Sequence, residues 1–367
     1  MTMKFNNSIA VLQPQIPHFR TEFYKTLREC IFNLDIYVYN SIKKSEQQGF
    51  QIDCTNLHNI SNLHYKGILW YNPCPLLQKK YDTLVLMWHF AHITTWLLLL
   101  TKFIHRKKII LWGQGISVKR YLKEENNPNV LLRWMLALAD GAWVYMEKET
   151  KEWQKVFPEK KIVALNNTLS GTNEMLKCQA FYNKDELKRK YNINEKYIFI
   201  FCARFTNPYR RTDFLLKAIE SLNKEQFGFV IIGAGIHKPD FSDYSNVYDF
   251  GAQYDMNLKQ ELFSLADLYF QPGWVGLSIV EAMAYGKPVC TFMRSNKTLQ
   301  CVEYSYIEDG VNGMIFSDMD DFLTKMLKIN DDDINRMGKN AKLLVEEKLN
   351  IYNMTKNACS ILDQSEL

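Results

Sequence analysis

The sequence predicts an α/β protein of two doubly wound domains, each an open parallel sheet covered by helices. Three observations carry this. Short runs rich in Val, Ile and aromatic residues alternate with amphipathic stretches along the chain, as strand–helix units do. Glycine- or arginine-bearing loops follow several of those runs, where a parallel sheet meets its ligands. Finally, 367 residues at 47% hydrophobic content exceed one ordinary core and can bury two.

In the amino-terminal half, strands are expected at 9–12, 36–39, 83–87, 108–112, 141–145 and 161–165, with helices such as 19–30 and 130–139 between them. The apolar run 8–12 is too short for a secretory signal and reads as the first strand. Its loop, QPQIPHFR at 13–20, brings His18 and Arg20 to a strand's carboxyl end, and His89 lies just past Met87 in the same way. In LWGQGIS, 111–117, Gly113 and Gly115 bracket Gln114. Ordinary loop roles compete with functional ones at His18, Arg20 and His89. The run ITTWLLLLTKFI at 93–104 leads into His105, Arg106, Lys107 and Lys108. About twenty apolar residues are needed to span a bilayer. The shorter run is therefore a buried crossover helix, or a helix that rests its basic end on an anionic inner leaflet. The polar stretch 170–190 is the expected linker.

In the second half, YIFIFCARFTNPYRRTDFLLKAIE at 197–220 reads as a strand, a loop holding Arg204, Arg210 and Arg211 beside Asn207, and a helix. Guanidinium groups beyond a strand end suit a diphosphate, because they stay charged and bind phosphate bidentately. A solvated basic loop is the plain alternative. FVIIGAG at 229–235 runs a buried-type strand into a turn at Gly233, without the third glycine of the dinucleotide fingerprint. A short strand then ends at Gly251, and a helix bearing Leu258, Leu262 and Leu265 leads to a strand at 267–270. The most informative stretch is QPGWVGLSIVEAMAYGKPV, 271–289. Gly273 and Gly276 allow close backbone approach, and the amides around Gly276, Leu277 and Ser278 open a short helix, a setting for phosphate. Glu281, one turn on, either reaches a sugar hydroxyl attached to that phosphate or merely complements the helix dipole.

These pieces in this order, closed by EDGVNGMIF at 308–316, resemble the carboxyl-terminal half of glycosyltransferase family 4. Its members are retaining enzymes of the GT-B fold, two Rossmann-like domains facing across a cleft. The resemblance implies that Arg204 and Arg210 hold the donor diphosphate and act in catalysis. It also implies that Glu281 is the second of a glutamate pair and binds the nucleotide's ribose. Gly233, Gly251, Gly273, Gly276, Leu277 and Ser278 complete the donor site on this reading. Two departures stand out: Gly273 occupies the place of the first glutamate, and Arg210 stands where Lys is usual. Gln114 falls near a position where relatives often carry a histidine that contacts the donor sugar. The implied reaction moves a hexosyl group from a nucleotide-diphosphate sugar to a glycan or lipid-linked glycan, with retention, in bacterial surface polysaccharide synthesis such as capsule, O-antigen or exopolysaccharide. His18, Arg20 and His89 are the acceptor-side candidates. A degenerate protein that binds a nucleotide or glycan without turnover, a nucleotide-sugar epimerase and a phosphorylase are the alternatives.

The expected layout is an acceptor-side domain at 1–170, a linker at 171–194, a nucleotide-sugar domain at 195–345, and a helical tail at 346–367 packing back on the first domain. A net charge of +5 does not point to nucleic acid. Eight cysteines without a C-x-x-C pair read as reduced thiols. The acidic runs 318–321 and 331–333 read as helix caps, so metal-independent catalysis is expected, with no cofactor beyond the nucleotide-sugar co-substrate. The expected location is cytoplasmic, with peripheral contact at the anionic inner face of the membrane.

Overall fold

A computed structural model describes residues 5–40, 56–178 and 182–362. The chain forms two compact units, Met1–Ser170 together with Ile351–Leu367, and Gly171–Asn350.

The first unit holds β1 (Phe5–Gln13), β2 (Ile31–Val38), β3 (Leu57–Asn59), β4 (Asn62–Tyr65), β5 (Ile68–Tyr71), β6 (Thr83–Met87), β7 (Lys108–Gly113), β8 (Gly141–Val144) and β9 (Lys161–Ala164). Seven of these make a wholly parallel sheet in the order β3-β2-β1-β6-β7-β8-β9. Strand direction explains its two cores. Along β1, Ile9 and Val11 join Phe23, Leu27 and Trp143 on one face, while Ala10 and Leu12 join Leu98, Leu99 and Leu136 on the other. A sheet buried on both faces needs such unbroken apolar strands. The helix Ile351–Ser360 belongs to this unit, and buries Met354, Ala358 and Cys359 in the same core as Phe23 and Leu27 of helix Thr21–Cys30.

β4 and β5 stand apart as an antiparallel hairpin. β5 is apolar on both faces, and β4 alternates over only four residues, too short a run to mark a strand in the sequence. The expected basic end of the 93–104 run is only partly presented to solvent. Lys107 is buried, its ammonium donating to the carbonyls of Gln78 (2.8 Å) and Tyr81 (2.5 Å), and Lys108 donates to the carbonyl of Ile361 at 2.8 Å. Only Arg106 of the three stays exposed. Among the described residues no helix is long and apolar enough to cross a membrane.

The second unit holds β10 (Tyr197–Cys202), β11 (Phe227–Ile232), β12 (Val247–Asp249), β13 (Leu268–Phe270), β14 (Val289–Phe292) and β15 (Gly313–Phe316). They too are all parallel, in the order β12-β11-β10-β13-β14-β15. Phenylalanines fill one face, with Phe199, Phe229, Phe270, Phe292 and Phe316 around Phe322. The stretch 171–194, expected as a linker, instead carries helices Thr172–Cys178 and Lys184–Tyr191 and lies within this unit. Polar composition misled there, because helix Lys184–Tyr191 buries Leu187 alone. Asp318 caps helix Met319–Met326, and Asp331, Asp332 and Asp333 form the first turn of helix Asp331–Glu347 behind the cap Asn330.

Candidate functional site

In the second sheet the strand order reverses between β10 and β13, and the crevice outside their carboxyl ends is where a doubly wound sheet takes its ligand. The loops leaving these two strands are 203–211, with its arginines, and 271–277, with its glycines. Topology therefore brings the two most informative stretches of the sequence to one place.

The arginine loop rests on the turn after β11. The amides of Ala203 and Phe205 donate to the carbonyls of Ile232 and Ala234, both at 3.0 Å. A Cβ at Gly233 would stand 2.0 Å from the Ala203 carbonyl oxygen. Gly233 thus serves the site through this close packing, and its amide donates to the carbonyl of Gly251 at 2.7 Å. Gly251 itself takes a left-handed φ of 64°.

The three arginines separate clearly. Arg211 is committed to the protein, since it pairs with Asp213 at 2.7 Å, donates to Thr298 at 2.5 Å and lies 3.5 Å over the ring centroid of Phe214. Arg204 is exposed. Arg210 is half-buried, and its Nε has no hydrogen-bond partner among the described residues. Burial, with Arg204 adding its like charge, pulls the guanidinium below its ordinary pKa, though such a group stays charged. A desolvated cation with a free donor is a site for an anion.

The glycine loop is held from beneath by two buried glutamines that the sequence reading did not single out. Gln271 accepts from Tyr269 (2.7 Å) and Ser278 (2.9 Å) and donates to the carbonyl of Trp274 at 2.7 Å. Gln300 accepts from the Val275 amide at 2.8 Å and donates to the carbonyl of Phe292 at 2.8 Å. Each amide side chain replaces bonds that a loop backbone cannot make to itself. Trp274, at φ 53°, stacks on Tyr209 with centroids 5.2 Å apart, tying the two loops together.

The two glycines of this loop differ in kind. A Cβ at Gly273 would meet the Tyr209 carbonyl oxygen at 2.5 Å, whereas one at Gly276 would meet nothing nearer than Cys301 Sγ at 3.9 Å. Gly273 is closed off by the arginine loop, so this backbone leaves no room for a side chain there. Gly276 is open. It leads through Leu277 into helix Ser278–Ala284, where the Ile279 and Val280 amides donate to the carbonyls of Gly276 (3.2 Å) and Leu277 (3.0 Å) and no side chain caps the helix start.

Glu281 lies in the first turn of that helix and is buried. Its Oε1 accepts from Lys259 Nζ at 2.6 Å. Burial lowers the Lys259 pKa, but the adjacent Glu281 carboxylate outweighs this and holds it above the ordinary value. Lys259, on helix Met256–Leu265, is a second residue that sequence reasoning missed, since only the fold brings position 259 beside 281.

The candidates in the first unit are scattered in role. Arg20 is buried, donates to Asn167 and to Met354 Sδ (3.2 Å), and lies 5.7 Å over the Trp112 ring centroid, so it pins the tail helix to the core. That is a packing role within the first unit. His18 is exposed on the turn His18–Arg20. His89 is exposed after β6 and stacks on Phe90 at 5.2 Å. Gln114 follows β7 between two glycines that packing demands, because a Cβ at Gly113 would press on Trp88 at 3.1 Å and one at Gly115 on Trp153 at 2.5 Å. Among the described residues no three His, Cys, Asp or Glu side chains are grouped to hold a metal ion.

Two doubly wound parallel units in one chain, with a phosphate-suited crevice in the second, define the GT-B class of fold. Residues 196–332, within the second unit, match the family described as glycosyl transferases group 1. Among solved structures, Alr3699/HepE of Anabaena in complex with UDP is similar to this chain with a TM-score of 0.66 at 14% identity, over 97% of this chain and 99% of that one. A glycosyltransferase from Rickettsia africae ESF-5 gives 0.62 at 15%, covering 98% and 100%. The lipopolysaccharide outer core galactosyltransferase WaaB, in its apo form, gives 0.65 at 12%, covering 97% and 99%. At these identities the likeness is one of fold. No curated protein matches the chain.

Proposed function

We propose that this protein is a retaining, metal-independent glycosyltransferase that moves a hexosyl group from a nucleotide-diphosphate sugar to a glycan or lipid-linked glycan acceptor. Its place would be bacterial surface polysaccharide synthesis, at the inner face of the cytoplasmic membrane. The observation that carries the reading is Arg210, a half-buried cation with an unpartnered Nε at the switch point of the glycosyltransferase domain.

On this reading the diphosphate lies between Arg204, Arg210 and the open turn at Gly276. The positive groups stabilise the charge that develops as the sugar–phosphate bond breaks. Glu281 accepts from the ribose hydroxyls with the capacity that Lys259 leaves it. The departing phosphate oxygen takes the acceptor's proton, so Gln114, which has no basic atom, contacts the sugar without acting as a base. Alr3699/HepE has been solved with UDP and with UDP-glucose, which makes uridine diphosphate the first nucleotide to try.

The second reading, a binding protein without turnover, is favoured by Gly273, where the carboxylate expected to grip the donor sugar is missing. Nucleoside diphosphates should raise the melting temperature of the purified protein, and UDP-sugars should support transfer to a polysaccharide precursor. Arg210→Ala should lower turnover by roughly 100-fold. Nucleotide binding without any transfer would favour the second reading, and no nucleotide binding at all would reject both.

A further inference from the structure

We propose that the first unit docks on an anionic lipid bilayer through one face built by three neighbouring elements: the β4–β5 hairpin, the helix Ile93–Leu100 with its extension Lys102–His105, and the helix Val130–Leu138. The inference deepens the membrane part of the proposed function, and takes from it only the lipid-linked acceptor.

Each element exposes apolar side chains that a protein surrounded by water would bury. In the hairpin, Leu63 pairs with Trp70 and Tyr65 with Ile68, which places all four on one face, and all four are exposed. The opposite face is the packed one, with Leu69 and Tyr71 buried and Tyr71 bonded to Thr94 and Thr95. A hairpin packed on one side ordinarily shows polar residues on the other. The next helix is apolar on its exposed side as well as on the side that buries Leu98 and Leu99. Thr94 and Thr95 are buried while Leu97, Leu100, Phe103 and Ile104 are exposed, Phe103 at 77%. Spacings of three and four residues set these on one stripe. On Val130–Leu138, the exposed residues Val130, Trp134 and Leu138 recur every four positions, again one stripe. More than half of the exposed large apolar residues described lie between 63 and 138. The hairpin strand β5 and the helix Val130–Leu138 both pack against the helix Ile93–Leu100, and exposed apolar residues concentrated on adjoining elements mark an interaction face.

Charge selects the partner. Residues 56–139 contain eleven Lys and Arg against three Asp and Glu, where the whole chain has +5; Lys80 and Lys102 pair with Asp35 and Asp140, and Lys107 is buried, which still leaves the segment positive. The remaining residues are therefore net acidic, by three charges. Of the three carboxylates, Glu124 is buried against Arg120, and Asp82 bonds the amide of Ser8. Lys66, at the tip of the hairpin, and Arg106, ending the second helix, are exposed beside the apolar stripes. Apolar and indole side chains rimmed by cations, with few anions nearby, complement the interface of an anionic membrane. A soluble acidic partner would match the charge but leave the apolar stripes unexplained.

The test uses the full chain with vesicles rich in phosphatidylglycerol and with vesicles of phosphatidylcholine. The wild type should co-sediment with the former about tenfold more strongly, and less so at high salt. Two variants separate the contributions: Trp70→Ser with Phe103→Ser and Trp134→Ser, and Lys66→Glu with Arg106→Glu. These positions are exposed, so both proteins should keep the wild-type melting temperature and nucleotide binding while losing most vesicle binding. Arg210→Ala should sediment as wild type, which keeps failure of the nucleotide site distinct from failure of docking. Absent vesicle binding, equal binding to both lipids, or a triple variant that binds like wild type would each overturn the proposal. So would a dimer abolished by the triple variant without vesicle binding, since that assigns the face to a second copy of the chain.

Discussion

Glu281 and Lys259 meet at 2.6 Å with both side chains largely out of water, so Glu281 has a role in the ligand-free protein beyond helix capping. Removing one partner of a buried pair strands the other charge and costs roughly 3 kcal/mol or more. Glu281→Gln is therefore expected to lower the melting temperature of the apo protein and also to weaken nucleoside-diphosphate binding by at least about tenfold. Adding Lys259→Met removes the stranded cation. The double variant should regain stability but not affinity, measured by thermal melting and calorimetric titration. If affinity returns together with stability, Glu281 acts only as a structural partner. A different residue sets the response to acid. His92 is buried, and burial, with His89 and His64 adding like charge, lowers its pKa to about 4. Between the ordinary value near 6.5 and about 4, the unfolded chain binds a proton that the folded chain refuses, so stability is full above that window and falls as pH drops through it. The loss approaches roughly 3 kcal/mol at the acid end. His92→Phe, which keeps the edge contact with Tyr39, should melt at more nearly equal temperatures at pH 7 and pH 5 than the wild type does. An unchanged acid sensitivity would show that other groups carry it.

At the scale of the element, the loop 271–277 shows how two glycines with the same sequence signature serve different ends. Gly273→Ala forces a Cβ to 2.5 Å from the Tyr209 carbonyl, so it should destabilise the protein by about 1–3 kcal/mol and loosen the arginine loop. Gly276→Ala meets open space, so its melting temperature should stay near that of the wild type while nucleoside-diphosphate affinity falls. Equal stability losses in the two variants would refute this division. The same loop marks the limit of what the sequence makes legible. YIFIFC and FVIIGAG declare themselves as strands because β10 and β11 are buried on both faces and read as continuous apolar runs. Arg210, the open turn at Gly276 and Glu281 were visible because glycine, arginine and a helix start carry local signatures. Lys259, Gln271 and Gln300 were not, since their value lies in partners that topology supplies. The hairpin β4–β5 escaped for a related reason: each strand is only four residues long, β5 is apolar on both faces, and the alternation of β4 points its apolar residues outward.

At the scale of the whole molecule, the chain leaves the first unit at Ser170 and returns to it at Ile351, so the last helix completes a core begun more than three hundred residues earlier. Ile351, Met354, Ile361 and Leu362 are buried there. Arg20 reaches Met354, Lys108 holds the Ile361 carbonyl, and a Cβ at Gly141 would meet Ile361 Cδ1 at 2.8 Å. At about 1.5–3 kcal/mol for each large apolar side chain removed from water, these four are worth several kcal/mol. That is comparable to the roughly 5–15 kcal/mol that holds a domain together. A chain ending at Asn350 should therefore lose the cooperative unfolding of the first unit. The second unit lies wholly within Gly171–Asn350 and has its own core, so it should still unfold cooperatively and still be stabilised by a nucleoside diphosphate. Scanning calorimetry of the full and shortened chains, each with and without nucleotide, separates the two units by which transition the ligand moves. If the shortened chain keeps both transitions, the tail is dispensable. If it loses both, the second unit depends on the first for its fold.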